Sequence, residues 1–256
     1  MKTIERTALV AIITFASGMM GFLIQWLVPA QHLTDSKGAI GSVVGLVTLL
    51  LALVLGLVIW TSFGVFTTQQ SEAHTLGTTV LQLDFILERY GPEAAPGRRK
   101  LKQAVLVSRE RFWGKKVGQP IFTYQQSRAD LTDIEEFFAS LHPANDEQRH
   151  YLDSAKQLAT SIVHTNLLMS RQLANPVPPL LLIVVIGWSS LLFLGFGLLA
   201  HFNAMTVVAD ALGAMSVASA IFLILEFSHP YSGVFSISAS GIDLVLGALI
   251  PDPVAS

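Results

Sequence analysis

The sequence contains no cysteine. Disulfide frameworks, thiolate metal sites and cysteine nucleophiles are therefore excluded. The seven histidines never pair at a spacing of three or four residues, so no histidine metal site is indicated. No HExxH, GxSxG or phosphate-binding loop occurs either. We therefore expect no catalytic residues, no metal, no cofactor and no enzymatic activity.

Charged residues are also scarce. They make up 13% of the 256 residues, whereas soluble domains carry about a quarter. The hydrophobic share is 52% and the mean hydropathy is +0.56. The net charge of -2 provides no basic surface for nucleic acid, so that class of partner is excluded. The shortage of charge indicates that the surroundings of this chain are a lipid bilayer.

Four apolar stretches contain no lysine or arginine and are long enough, at about 20 residues, to cross a bilayer as helices. They are residues 7–28, 41–63, 179–200 and 207–227. The first could also be a cleaved signal peptide, because Lys2 and Arg6 precede it. It is longer than a typical signal core, however, and a second span follows closely. We therefore expect four retained transmembrane helices.

The basic residues predict the orientation of these spans. Lys2 and Arg6 precede the first span, and 13 of the 16 basic residues lie between Arg89 and Arg171. Lys37 is the only basic residue between the first two spans, and none lies between the last two. The positive-inside rule then places both termini and residues 67–175 in the cytoplasm of a cell whose inner membrane holds the protein.

Residues 67–175 have the composition of a soluble protein and helical apolar spacing. Steps of three and four residues recur in four pieces, which predicts a cytoplasmic helical bundle. These apolar positions are Ala73, Leu76, Val80, Leu83 and Leu87; Leu101, Val105 and Phe112; Leu131, Ile134, Phe138 and Leu141; and Tyr151, Ala155, Leu158, Ile162 and Met169.

Proline predicts which helices continue into one another. None occurs from Gly41 to Gly91, so span two and the first cytoplasmic piece are expected to form a single helix about 75 Å long. Pro176, Pro178 and Pro179 should interrupt the path into span three. Asn145 is a suitable N-cap for the last cytoplasmic helix.

The predicted fold is an all-α membrane protein in which two transmembrane hairpins flank a cytoplasmic helical bundle. The expected divisions are a first hairpin (1–66), the cytoplasmic domain (67–175), a second hairpin (176–228) and a C-terminal segment (229–256). In that last segment Pro230 and Gly233 turn the chain before a short apolar helix. Because this helix is too short to span, we expect it to be re-entrant or to lie along the membrane surface.

Small and acidic residues in the spans indicate packing and function. Gly41 and Gly45 in span two and Gly213 in span four are typical of close helix packing, either within one chain or between chains of a homo-oligomer. Asp210 and Glu226 are the only acids in a span. Intramembrane acids are candidates for a permeation path, but each of these also lies near an interface, where its carboxylate can reach water.

Two segments resemble a known family. SEAHTLGTTVLQLDFIL (71–87) contains Glu72, Gly77 and Asp84, and SVASAIFLILEFSHPYSGVFSIS (216–238) contains Pro230 and Gly233 together with the acid of span four. Both segments, in an order of hairpin, cytoplasmic helices and hairpin, resemble the bestrophin-like family of four-span membrane proteins.

The resemblance implies a function. Bestrophins proper are pentameric ion channels in which span two lines the pore and aromatic residues form a neck. By this likeness the chain is a homo-oligomer, a pentamer if the subunit number is kept, that conducts inorganic ions. Its constriction is expected at Thr61, Phe63, Phe66 and Thr67.

Other functions remain open from the sequence. The apolar seams of the cytoplasmic helices could accept a helix of a protein partner, which would make the protein a membrane scaffold or sensor. A secondary transporter is the third possibility, although four spans and no broken helix at the bilayer midplane disfavour it.

Overall fold

The computed structural model describes residues 3–114, 124–174 and 179–249, and within these ranges every regular element is a helix. The predicted all-α fold is therefore confirmed. A short 3-10 helix, Pro92–Ala94, precedes α3. The α-helices are α1 Thr3–Leu27, α2 Ala30–Tyr90, α3 Ala95–Trp113, α4 Tyr124–Ser140, α5 Asp146–Ala174, α6 Pro179–Leu199, α7 Ala204–Phe227 and α8 Ser240–Ala248.

Four of the described helices, α1, α2, α6 and α7, are long and apolar enough to cross a membrane. They match the four stretches expected from the sequence, with α1 and α6 each ending one residue earlier, so the four predicted spans are confirmed and the chain is a membrane protein. The pairing of these spans into two hairpins stays a prediction. Pro176 and Pro178, where we expected an interruption, lie outside the described residues.

The longest helix, α2, confirms that span two continues without a break into the following piece. Its 61 residues correspond to about 90 Å. It begins at Ala30, ahead of the apolar stretch 41–63, because hydropathy marks where lipid contact starts and not where helical backbone starts. It ends before Gly91, whose φ of 128° leaves the helical region, and Pro92.

The chain divides into two compact units. The first unit contains Met1–Phe66 and Pro176–His229, and the second contains Thr67–Asn175 and Pro230–Ser256. In the first unit α1 packs along α6 and α7. Its core consists of apolar side chains from these helices and from the first half of α2: Val10, Leu51, Val185, Leu192, Phe193, Ala214, Ile221 and Leu225.

The second unit has one apolar core, formed by the last part of α2 with α3, α4, α5 and α8. The predicted seams supply most of it: Leu76, Val80, Leu83, Leu87, Leu101, Val105, Phe112, Phe138, Leu141, Ala155 and Met169 are buried. The side chain of Leu131, also predicted there, lies outside the described part of the structure. Asn145 caps α5 as expected, with its Oδ1 accepting a hydrogen bond of 2.7 Å from Gln148 N.

Helix α8 belongs to the second unit. Its residues Ile242 and Val245, and Leu249 directly after it, are buried in the core, whereas Leu244 is 77% exposed. Nε of Arg109 on α3 donates a hydrogen bond of 2.6 Å to Asp243 Oδ1. The expectation that this helix also touches a membrane surface stays a prediction.

Candidate functional site

The two phenylalanines predicted at the constriction contact the same aromatic ring inside the first unit. The ring centroids of Phe63 and Phe66 lie 5.4 and 5.5 Å from that of Phe227, the last residue of α7. Phe63 nevertheless remains 42% exposed. One edge of each ring is therefore fixed by α7, and part of Phe63 is left for a further contact.

The two threonines predicted at the constriction, Thr61 and Thr67, are both exposed on α2. The Thr61 hydroxyl donates a hydrogen bond of 3.0 Å to the carbonyl of Val58, within the same helix. Thr67 lines an open groove on the second unit. The two phenylalanines are thus brought together by Phe227, whereas the two threonines lie on the helix surface.

In each unit one side of α2 is buried and the opposite side is exposed. Successive residues on each side lie seven positions apart in the sequence. In the first unit Val44, Leu51 and Val58 are at most 8% exposed, whereas Leu46, Leu53 and Trp60 are 59%, 68% and 72% exposed. In the second unit Gln69 and Leu76 are buried, whereas Thr67 and His74 are exposed. A step of seven residues therefore relates Leu46, Leu53 and Trp60 in the first unit, and Thr67 and His74 in the second.

The uncovered side of α2 in the second unit is polar but almost free of ionisable groups. It forms a groove of about 650 Å³ lined by Thr67, Gln70, Ser71, His74, Thr75, Thr78, Thr79 and Gln82. The hydroxyls of Thr75 and Thr79 donate to the carbonyls four residues earlier, at 3.0 and 2.8 Å. A hydroxyl that donates one hydrogen bond can still accept others, so the groove offers hydroxyl and amide groups to water or to a hydrated ion.

The glycines predicted to pack helices fall into two classes. A Cβ built on Gly41 or Gly45 would meet nothing within 4 Å, so this side of span two has no neighbour among the described residues. A Cβ on Gly213 would lie 3.0 Å from the Phe193 ring, which means that α7 already packs on α6 there. Packing between chains is therefore open to span two.

The two intramembrane acids are both buried in the first unit. Glu226 is 3% exposed, and its carbonyl accepts a hydrogen bond of 3.1 Å from His229 N. Asp210 is 8% exposed, and among the described residues its Oδ2 has no hydrogen-bond partner. Both side chains are therefore largely covered by other described residues of the first unit, and their place on a permeation path stays a prediction.

A chain of hydrogen bonds crosses the core of the second unit. Gln69, fully buried on α2, donates to Gln172 Oε1 at 2.6 Å and to the carbonyl of Met169 at 3.2 Å. Its own Oε1 accepts from the Tyr231 hydroxyl at 3.0 Å. Gln172 in turn donates to Glu72 Oε1 at 3.2 Å. The chain of bonds thereby joins α2, α5 and the segment after α7.

The tyrosine end of this chain of bonds is apolar, and the other end is the carboxyl of Glu72, whose pKa is raised by burial. Tyr231 packs against Phe112 and Trp113 of α3, with ring centroids 5.2 and 4.9 Å apart. Burial raises the pKa of Tyr231, and the negative charge of Glu72 raises it further. The phenol therefore stays protonated at physiological pH and acts as a permanent donor to Gln69.

Other residues of the family resemblance have structural roles in the second unit. At Gly77 the helices α2 and α8 approach each other closely, since a Cβ there would lie 3.2 Å from Val245 Cγ2. Asp84 accepts two hydrogen bonds of 2.7 Å from Arg98, whose pKa is raised chiefly by them. These contacts attach α8 and α3 to α2.

The turn after α7 explains the remaining two motif residues. Pro230 is buried, and its carbonyl accepts a hydrogen bond of 2.7 Å from Ile237 N. Gly233 has a φ of 110°, a conformation that side chains other than hydrogen rarely allow. The turn directs Tyr231 towards Gln69. The hydrogen bond between these two residues joins α2 to the segment after α7, which carries part of the family resemblance.

Several residues important to this arrangement were not predicted. Gly21 and Gly197 let α1 and α6 touch by their backbones, since a Cβ on Gly197 would lie 3.0 Å from Gly21 Cα. A Gly-x-x-Gly pair at Gly18 and Gly21 was the available signal in the sequence. Gln69 carried no signal, because an isolated polar residue next to a span resembles a surface residue. Among the described residues, no group of three or more potential ligands could hold a metal ion.

Comparisons with known proteins agree with this architecture. The sequence profile of the bestrophin-like domain matches residues 10–242. The crystal structure of a point mutant of a bacterial bestrophin homologue from Klebsiella pneumoniae is similar to this chain, with a TM-score of 0.66 and 13% identity, over 97% of this chain and 99% of that one. At that identity the likeness concerns the fold. No curated protein matches the sequence. Since the profile covers most of its length, the chain belongs to the bestrophin-like domain family.

Proposed function

We propose that this protein is a homo-oligomeric ion channel in which α2 lines a central pore. The observation that carries the proposal is the uncovered side of α2, which is apolar in the first unit and carries a groove of uncharged polar groups from Thr67 to Gln82 in the second. A pore needs an apolar or narrow barrier in the membrane and hydrogen-bonding groups where ions regain water. The family membership supports a channel-like function as well.

Several copies of the chain are needed to enclose such a pore. Four spans are too few to surround a channel in one chain, and Gly41 and Gly45 expose backbone that a neighbouring helix could approach closely. The uncovered leucines of span two would then be shared between the pore and the contacts with adjacent subunits. We propose that the copies surround a common axis, as a pentamer if the subunit number of bestrophins is kept.

The proposed constriction lies at Thr61, Phe63, Phe66 and Thr67. Phe227 supports both phenyl rings from behind, which would hold them in place around the axis. Aromatic rings at a narrow point can stop ions by excluding water, and the threonine hydroxyls on either side can rehydrate them. Inorganic ions are the proposed cargo.

The orientation follows from the basic residues and remains part of the proposal. Both termini and residues 67–175 lie in the cytoplasm, the protein is in the inner membrane, and ions leave or enter the groove on the cytoplasmic side.

A scaffold or sensor that binds a protein partner is the second proposal from the sequence. It is motivated by two apolar seams of the second unit, Leu76 to Leu87 on α2 and Leu131 to Leu141 on α4. Leu76, Val80, Leu83 and Leu87 pack in the core of the same chain, so they are occupied without a partner. The channel is the better supported function for this reason.

The absence of cysteine permits a direct test. Thr78→Cys introduces a thiol into the groove, and Thr160→Cys introduces one on α5 at another exposed threonine that also donates to the carbonyl four residues earlier. In liposomes containing the purified protein, we expect ion flux from both variants. A charged methanethiosulfonate reagent should reduce the flux of the Thr78→Cys protein only.

Two results would overturn this proposal. One is liposomes that pass no ion across a panel of cations, anions and pH values. The other is flux that the reagent changes equally in both variants, since the groove would then lie off the conduction path.

A further inference from the structure

The first unit contains an apolar pocket of about 430 Å³ between α1, α6 and α7. Phe22, Phe193 and Phe196 contribute aromatic walls, and the carboxylate of Asp210 is its one acidic group. The volume falls within the range of small-molecule sites, which are typically apolar with a few polar groups that orient the ligand. We refer to it as the Asp210 pocket.

One oxygen of the carboxylate in this pocket is buried without a partner among the described residues. Asp210 is 8% exposed, and its Oδ2 accepts no hydrogen bond from any described residue. The described residues supply no ion pair to it either, and the stretches 7–28, 179–200 and 207–227 contain no lysine or arginine. A buried carboxylate without a partner is unfavourable unless a ligand or a proton neutralises it.

The surrounding backbone is shaped to keep the carboxylate in this position. A Cβ on Gly18 of α1 would lie 2.6 Å from Asp210 Cγ, so any side chain there would displace it. A helical glycine costs up to about 1 kcal/mol relative to alanine. At Gly18 the missing side chain leaves room for the carboxylate of Asp210.

The chemistry of the walls selects among cations. A metal ion such as calcium requires about six oxygen ligands, but Asp210 offers only its two carboxylate oxygens. Thr206, a hydroxyl in the wall, already accepts a hydrogen bond of 3.1 Å from Asn203 N and donates to the carbonyl of His201 at 2.8 Å, so one lone pair at most is left for a metal ion. An ammonium group needs fewer ligands and is also attracted to aromatic rings, which this pocket provides.

We propose that the Asp210 pocket binds an organic monocation, with its ammonium group paired to Asp210 and its apolar body against Phe22, Phe193 and Phe196. One carboxylate balances one positive charge, and the three rings accept a hydrophobic body that water would not solvate. A free amine and a lipid headgroup both carry such an ammonium and present the same chemistry to Asp210. This site is independent of ion conduction.

Binding can be measured on the purified full-length protein in detergent micelles, with 2-phenylethylammonium as the probe. The uncharged 2-phenylethanol has the same body and corrects for partition into the micelle. We expect saturable binding of the ammonium with about one site per chain and much weaker binding of the alcohol. Equal affinity for the two compounds would overturn the proposal.

Variants test the assignment to Asp210. Asp210→Asn keeps the size of the side chain and should weaken ammonium binding at least about tenfold, because a charge-assisted hydrogen bond is lost. Gly18→Ala should weaken it similarly by displacing the carboxylate. Gly187→Ala, at an α6 glycine whose Cβ would meet nothing within 4 Å, is the matched control and should bind as the wild type does.

Circular dichroism and the elution volume show whether each variant is folded. They therefore distinguish misfolding from loss of the binding site. If Gly18→Ala fails to fold, Asp210→Asn still decides the question, because it adds no heavy atoms. A folded Asp210→Asn protein that binds the ammonium as tightly as the wild type contradicts the proposal.

A second arm identifies the source of the ammonium. The probe is titrated into protein in nanodiscs of phosphatidylglycerol alone and in nanodiscs that also contain phosphatidylethanolamine. Weaker apparent binding in the second lipid mixture shows that a lipid ammonium occupies the pocket. Unchanged binding shows that the pocket takes a free amine in preference to the lipid.

Discussion

The Tyr231 hydroxyl donates a hydrogen bond of 3.0 Å to Gln69 Oε1, although the two residues lie 162 positions apart in the sequence. Gln69 is completely buried, and its amide nitrogen donates to Gln172 and to the carbonyl of Met169. Both ends of its amide are thus satisfied by protein groups, so the segment after α7 and the helix α2 depend on each other within the second unit.

Tyr231→Phe should destabilise the second unit. It leaves the buried Oε1 of Gln69 without a donor, which costs about 1–3 kcal/mol. Thermal unfolding in detergent, followed by tryptophan fluorescence to which the neighbouring Trp113 contributes, measures the effect. Tyr151→Phe is the control, because that hydroxyl bonds the exposed Glu147 and its loss should cost little. Equal shifts in melting temperature for both variants would contradict the structural role of the Gln69 contact.

Gly77 should tolerate alanine but not valine. The alanine Cβ would lie 3.2 Å from Val245 Cγ2, a contact that a small shift of α8 relieves, and alanine favours the helix by up to about 1 kcal/mol. Gly77→Val should cost about 1–3 kcal/mol through overpacking.

Val245→Ala provides the control for this pair. In the Gly77→Val background it should restore part of the lost stability, since it removes the methyl group that valine meets. Denaturant titration of the four proteins in the cycle gives the coupling energy. Purely additive effects would show that the two residues do not contact each other.

Gly197→Ala should weaken the first unit. Its Cβ would lie 3.0 Å from the backbone atoms Gly21 Cα and Phe22 N, which cannot rotate away as a side chain can, so α1 and α6 must separate. We expect a loss of about 1–3 kcal/mol in resistance to unfolding by a denaturing detergent. Gly187→Ala, on the same helix but with open space around it, should have no such effect. Similar resistance in both variants would argue against the backbone contact.

Acid should loosen α8 through Asp243. The hydrogen bond from Arg109 holds the pKa of this carboxyl below its ordinary range, and the positive charge of Arg109 lowers it further. The ion pair therefore contributes at any pH above about 4 and is lost as the pH falls through the lowered pKa. Because both side chains are largely exposed, the effect is small.

Hydrogen exchange of the α8 amides between about pH 7 and about pH 3 spans the window in which this carboxyl titrates. Wild-type protection factors should fall at the acidic end, whereas those of Asp243→Asn should be lower at neutral pH and change less. Identical pH profiles would mean that the ion pair does not hold α8.

Much of the fold could be predicted because the signals are local. Lysine and arginine are absent from four stretches, and each stretch forms a helix long enough to span. The missing proline between Gly41 and Gly91 allowed the unbroken α2, since nothing in that stretch removes a backbone donor. The seam of Leu76, Val80 and Leu83 followed from helical period alone.

The candidate site was predicted less completely, because its contacts join residues that are distant in the sequence. Phe63 and Phe66 were identified as aromatic residues at the end of a span, but their contact with Phe227 depends on how α2 and α7 pack. The position of Asp210 near the end of a span was evident from the sequence, but its contact with Gly18 depends on how α1 and α7 pack.

The sequence by itself determined which segments enter lipid, which side of each helix is apolar and where helices end, because hydropathy, period and backbone freedom are properties of neighbouring residues. Only the tertiary structure decided that Gln69 and Tyr231 are partners, that Gly21 and Gly197 touch, and that one buried carboxylate faces an apolar pocket. Such relations join residues distant in the chain, and the energy of a buried polar group depends on the few ångströms around it rather than on its place in the sequence.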